Sequence, residues 1–156
     1  MTLTTVVDIR AGCLANMANH ARELLREHWE EVARHKDLLV LSPDWDTYAK
    51  LAENDRLLML EAWAGDELVG YSVNIVVPHL HYRDVLVCQN DVLFVAMSHR
   101  ATRTGIRLMR ETELEAKRRG CKLVLWHAKK DSALDHMLGR ERSAYSVQDI
   151  VYGRKL

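Results

Sequence analysis

Val92-Leu-Phe-Val-Ala-Met-Ser-His-Arg-Ala-Thr-Arg-Thr-Gly-Ile-Arg-Leu-Met109 decides the fold. Its first residues form an apolar strand. A short polar stretch follows, and the rest is the start of a helix that runs to about Arg119. The first backbone N–H groups of a helix have no partner within it and lie at the positive end of its dipole, so strand, loop and helix together form an anion cradle. Ser98 to Gly105 is the stretch that would hold a phosphate-bearing ligand.

Outward from this stretch, the chain reads as alternating elements. Thr4 to Arg10 is β-branched and predicts a first strand, which Gly12 breaks. From Cys13 to His35, Leu14, Met17, Ala18, Ala21, Leu24, Leu25, Trp29 and Val32 recur at helical spacing and predict one long amphipathic helix. Ser42-Pro43-Asp44 predicts the start of a second helix, running to about Glu53. Leu57 to Ala64 and Glu67 to Val77 are strands joined by the two-residue turn Gly65-Asp66. In the second of these, Val69, Tyr71, Val73, Ile75 and Val77 alternate with Gly70, Ser72 and Asn74, which predicts one packed and one more open face.

Pro78 closes that strand, and His79 to Asp84 reads as a polar loop. Val85 to Met97 is a long strand interrupted by Gln89-Asn-Asp91, which predicts a bulge or a polar pocket. Beyond the central helix, Arg118-Arg119-Gly120 is a helix stop, and Lys122 to Ala128 is a strand. Asp131-Ser132 caps a short helix to about Arg140, and Tyr145 to Lys155 is a final strand. The order is β, α, α, β, β, β, α, β, α, β, in a single domain of 156 residues.

Composition excludes several function classes. Lys+Arg and Asp+Glu are 22 each, so no overall field draws the chain to nucleic acid or an anionic membrane. Cys13, Cys88 and Cys121 form no C-x-x-C pair and read as reduced core residues. No stretch approaches the roughly 20 apolar residues of a membrane span, and no leader is apparent, so the expected location is the cytoplasm.

The central stretch resembles the acyl-CoA-binding motif of the GCN5-related N-acetyltransferase (GNAT) family, a strand end followed by Arg/Gln-x-x-Gly-x-Gly/Ala and a helix. Val95 matches the strand end, Arg100 the leading Arg, Gly105 the last glycine and Leu108 the helix leucine. Arg103 stands where the family has its central glycine, and Ala101 where a further glycine is common. The element order also resembles the family's over the whole chain, as does the ending Ala144-Tyr145 with Tyr152. Asn90 to Val95, Leu125 to Lys129 and Val147 to Ile150 are similar to members encoded by tailed bacteriophages, which would place the protein in the host cytoplasm.

The resemblance implies an α/β (α+β) fold with a mixed, mostly antiparallel central sheet, flanked by helices and splayed between the fourth and fifth strands. It implies acetyl-CoA as cosubstrate, an amine acceptor on a small molecule or protein, and direct transfer in a ternary complex, with a homodimer possible. Val95, Ala96 and Met97 would line the pantetheine slot, with Met97 N–H polarising the acyl carbonyl. Arg100, Ala101, Thr102, Arg103, Thr104, Gly105 and Ile106 would hold the pyrophosphate, and Ser132 would complete the cofactor contacts.

The residues themselves offer Asp91 as base, expected on the same strand face as Val95, with Gln89 beside it. Asp91 reads equally well as a residue that merely satisfies a bulge. His79 and His81 are the next base candidates, because imidazole titrates near neutrality; the same pair reads as an ordinary surface loop, and no metal site is assigned. Arg103, Arg107 and Arg110 share helical spacing and read either as phosphate ligands or as a solvated basic face. The family's acid, a tyrosine, falls at Arg140 here, leaving Tyr145 or His136 as substitutes. The alternative is a binding or structural protein on the same fold with weak or lost catalysis, such as a virion or host-interaction factor. Acetylation of an aminoacyl-tRNA would need a basic surface, which the balanced charge does not supply.

Overall fold

A computed structural model describes residues 6–156, so Thr4 and Thr5 of the expected first strand lie outside the described residues. The chain runs β1 (Val7–Ala11), α1 (Leu14–His20), α2 (Arg22–Val32), α3 (Trp45–Glu53), β2 (Leu57–Ala64), β3 (Glu67–His79), β4 (Tyr82–Val95), a 3₁₀ turn (Met97–Thr102), α4 (Thr104–Arg118), β5 (Leu123–Leu125) and α5 (Ala133–Arg140). The five strands form one sheet in sequence order, antiparallel from β1 to β4 and parallel between β4 and β5. Among the described residues, no helix is long and apolar enough to cross a membrane.

The hairpin β2–β3 turns at Gly65-Asp66, and Gly65 takes the φ of +65° that this tight turn requires. The expectation of one open face on β3 is corrected, because Leu68 to Asn74 are all buried. Helices cover both sides of the sheet. On one side Met17, Ala21 and Leu24 of α1, α2 and the bend between them pack with Tyr71, Val73 and Phe94. On the other, Leu108 and Ala116 of α4 pack with Leu58, Val69, Cys88 and Val95. Gly70 permits this close seat, since a Cβ there would lie 3.0 Å from the Phe94 carbonyl and 3.3 Å from Leu108.

Several boundaries differ from the sequence reading. The single helix expected over Cys13–His35 is two, because Ala21, fully buried against the sheet, has φ −93° and ψ 0°. No proline or glycine marks this bend, so periodicity alone reads straight through it. Asp44 caps α3, its carboxylate accepting from Thr47 N–H and the Thr47 hydroxyl, so Ser42 and Pro43 precede the helix. His79 to Asp84 is mostly strand, with only Leu80-His81 turning.

The largest correction is at the C-terminus. No strand forms over Tyr145–Lys155, and Val147, Val151 and Tyr152 are 83%, 92% and 89% exposed. β5 has only three residues, too short an edge to hold an eleven-residue partner strand.

Candidate functional site

β5 pairs with β4 at Val87, Cys88 and Gln89 and goes no further. From Asn90 to Val95 the β5 side of β4 is therefore open. This is the splay the fold was expected to have, with Gln89 at its apex. Directly beyond the apex, Asn90 pairs with Asn74 and Val92 with Val73, leaving Asp91 as the extra residue of a β-bulge.

The bulge is fixed from inside. The fully buried Asn90 amide donates to Asn74 Oδ1 (3.0 Å) and to the Val92 carbonyl on the far side of Asp91 (3.1 Å). Asn74 donates to Ser72 Oγ (2.9 Å), which also accepts from Thr112 Oγ1 of α4 (3.0 Å). A chain of buried polar groups thus runs from α4 through β3 to the bulge. Every buried polar side-chain atom among the described residues has a partner, as burial demands.

The bulge also changes the strand's facing. Asn90 sits on the α4 side, but Val92 and Phe94 pack against the α1–α2 core, and Val95 returns to α4. Asp91 meets α3, where it accepts from the Tyr48 hydroxyl, so it does not share a face with Val95 as simple alternation predicts. The Asp91 side chain is exposed, and no Lys or Arg pairs with it among the described residues. Burial and then this carboxylate push the Tyr48 phenol well above its ordinary range, so it remains a donor.

Around Asp91 stand residues that the sequence reading did not select. The His28 ring of α2 stacks on Phe94 with centroids 4.6 Å apart, and its Nδ1 lies 2.9 Å from Tyr71 Oη. Burial lowers the His28 pKa to about 4, with Arg100 and Lys129 adding to the effect and Glu31 and Asp91 opposing it. His28 is therefore neutral near pH 7 and has carboxylates and cations around it. Burial also pushes the Tyr71 phenol upward. One signal could have found His28: it continues the apolar stripe of Ala21 and Leu24 at helical spacing, a position where an imidazole must have a partner.

On the other side of the opening lies the expected cofactor segment. Ala96 N–H donates to the Val69 carbonyl (2.8 Å), one step beyond the Gly70–Val95 pair. The Val95 carbonyl accepts from Arg100 Nε (2.9 Å), and Met97 N–H donates to Glu27 Oε1 (3.3 Å). Ser98 to Thr102 wind into a 3₁₀ turn, with Ala101 exposed and Thr102 half-buried.

Arg103 then takes φ +61° and ψ +14°, the left-handed conformation for which the family's motif uses glycine. Thr104 is buried, its hydroxyl 2.6 Å from that of Thr102, and no side chain caps α4. Gly105 has space around it, with a Cβ there 3.8 Å from Val95 Cγ2, and Ile106 is half-buried. An uncapped fifteen-residue helix entered through a left-handed residue, with Arg100 and Arg103 on its approach, fits a phosphate group.

The remaining candidates lie elsewhere. His81 is at the tip of the β3–β4 hairpin, its N–H donating to His79 Nδ1 (3.2 Å), at the opposite end of β4 from Val95. Ten residues separate it from Asp91, about 30 Å along a strand. Tyr145 donates to Glu113 Oε1 of α4 (2.7 Å), an oxygen that also accepts from Trp126 Nε1 (3.0 Å), and its pKa is pushed up to about 12, chiefly by burial. Ser132 Oγ caps α5 by accepting from Asp135 N–H (3.2 Å). Arg107 donates to the Val7 carbonyl (2.7 Å), which ties it to β1 and away from the 3₁₀ turn.

No protein-family model and no curated protein sequence matches the chain. Solved structures do. The ribosomal-protein-alanine N-acetyltransferase of Brucella melitensis biovar Abortus 2308 superposes with TM-score 0.71 at 20% identity, over 97% of this chain and 99% of that one. An aminoglycoside acetyltransferase from an uncultured soil metagenomic sample gives 0.70 at 18% identity, over 96% of both. A transcriptional regulator from Bacillus halodurans C-125 gives 0.71 at 17%, over 97% of this chain and 100% of that one. The fold is that of the GCN5-related N-acetyltransferases, a five-stranded mixed sheet flanked by helices.

Proposed function

We propose that this chain is an acetyl-CoA-dependent N-acetyltransferase acting on a small-molecule or protein amine by direct transfer. The observation that carries this reading is the bulge that presents the Asp91 carboxylate, without a cation partner among the described residues, at the mouth of the β4–β5 opening, on the strand that leads into the uncapped start of α4. The acetyltransferases of the same fold support it.

In this reading Asp91 takes a proton from the acceptor's ammonium, while the Tyr48 hydroxyl holds the carboxylate in place. The freed amine attacks the acyl carbon, Met97 N–H stabilises the oxyanion, and the C–S bond breaks as the amide forms, the nitrogen's second proton passing to water. The CoA thiolate takes its proton from water, since Tyr145 is engaged by Glu113. Arg100, Arg103 and the first N–H groups of α4 hold the phosphates. Neutral His28 leaves space for a cationic acceptor beside Asp91 without repelling it.

A second reading is favoured by Arg103 at a glycine position and by a regulator with this fold: a binding or structural protein that has lost catalysis. Calorimetric titration of acetyl-CoA separates the two. Micromolar binding that disappears in Gly105→Glu, with circular dichroism unchanged, is the result expected of the enzyme. An acceptor screen then follows, in which Asp91→Asn should lose about 100-fold or more in turnover while still binding acetyl-CoA. A folded wild type that binds no acetyl-CoA would leave only the interaction role.

A further inference from the structure

The groups on which donor binding relies are already occupied from within the chain. Met97 N–H, the expected carbonyl polariser, donates to Glu27 Oε1. The Arg100 guanidinium is forked onto Glu31, with Nη1–Oε1 2.9 Å and Nη2–Oε2 2.5 Å. Both carboxylates come from α2, four residues apart and so on the same side of that helix. Between them His28 stacks on Phe94, over which Arg100 also lies, 5.2 Å from the ring centroid.

α2 is tied to the other side of the opening as well. Arg34, two residues past its end, donates to the Lys130 carbonyl (2.8 Å) in the segment between β5 and α5. The helix thus makes contact with both banks of the gap where β4 and β5 part.

We propose that α2 is a latch on the donor site, in which Glu27 stands in for the acyl oxygen and Glu31 for a phosphate. This inference rests on the donor reading above. A carboxylate forked on Arg100 presents the same paired oxygens as a phosphate and satisfies the same guanidinium edge, so the two ligands are mutually exclusive. Acetyl-CoA can enter only as Glu31 leaves Arg100 and Glu27 leaves Met97. The Arg100–Glu31 pair is 35% and 38% exposed on its two side chains, so water screens it and it can open readily. The latch therefore lowers affinity without abolishing it.

The test is acetyl-CoA titration of wild type, Glu31→Gln, Glu27→Gln and Glu23→Gln, each checked by circular dichroism. Glu23 is exposed on the same helix and touches neither donor group, so its substitution controls for the loss of one negative charge. Glu31→Gln should tighten binding by about 1.5- to 5-fold, the range expected for removing one partly exposed competing ion pair, with a smaller gain for Glu27→Gln and none for Glu23→Gln. Equal binding by wild type and Glu31→Gln would overturn the latch and leave the donor reading standing, as would weaker binding by the variant. Equal gains in Glu31→Gln and Glu23→Gln would reduce the effect to net charge and overturn it too. No binding by any of the four would overturn the donor reading, and the latch with it.

Discussion

His28 carries a charge in the unfolded chain that the folded chain refuses. Its pKa falls from 6.5 to about 4 on folding, so between those values the unfolded state binds more protons. The stabilising contribution is complete above pH 6.5 and is lost as the pH falls towards 4. His28→Phe keeps the stacking on Phe94 but removes the titration. The difference in unfolding free energy between wild type and variant should shift by roughly 2–3 kcal/mol between pH 7 and pH 4, in the direction that favours the variant in acid. Urea denaturation at the two pH values measures it, and parallel curves would mean that the imidazole stays charged in the fold. Asp91 was legible as a polar residue in an apolar strand, whereas His28 showed only as an imidazole on an apolar stripe, because its partners Tyr71 and Phe94 are brought to it by tertiary structure. Arg103 shows a different limit. The motif has a glycine at this position, and the chain holds a left-handed conformation there with Arg103.

At the scale of the element, β4 shows how a strand can be both a core member and a platform. The polar triplet that broke its apolar pattern proved to be a bulge clamped by Asn90. Asn90→Leu would leave Asn74 Oδ1 and the Val92 carbonyl without that donor in a dry interior, at a cost of about 2–4 kcal/mol. Thr112→Val, at the other end of the same polar chain, removes one donor from Ser72 and should cost about 1 kcal/mol. Equal losses in chemical denaturation would show that the chain behaves as one unit and not as a series of separate bonds. Elements with strong local signals, such as the hairpin around Gly65-Asp66 and the α4 stop at Gly120, were readable in advance. The bend at Ala21 and the early end of β5 were not, because sheet curvature and strand pairing decide them and neither leaves a mark in a window of neighbouring residues.

For the molecule as a whole, the order of elements was legible almost to the end, and together with the motif at Val92–Met109 it indicated the fold. The exception is the C-terminal segment. Its β-branched residues predict a strand, yet they stand exposed, joined to the body through the ion pair of Lys155 with Asp37. Between the C-terminal end of α4 and β5 an open groove of about 490 Å³ is lined by Lys117, Cys121, Leu123 and Val124. Truncation after Ser146 should therefore change unfolding free energy by less than about 1 kcal/mol, since only an exposed ion pair and little apolar area are lost. A large fall in thermal stability on truncation would mean that the segment does occupy the sheet edge in solution.

The bulge has one consequence for how this protein can vary. Asp91 has no opposite number on β3, so an in-frame loss of its single codon would bring Asn90 and Val92 together against Asn74 and Val73, and every later side chain of β4 would keep its side of the sheet. Within a regularly paired stretch of strand a one-residue deletion turns the later side chains to the opposite face. Here it would leave a sound scaffold without that carboxylate, so the proposed base can be lost in one step while the shape is kept.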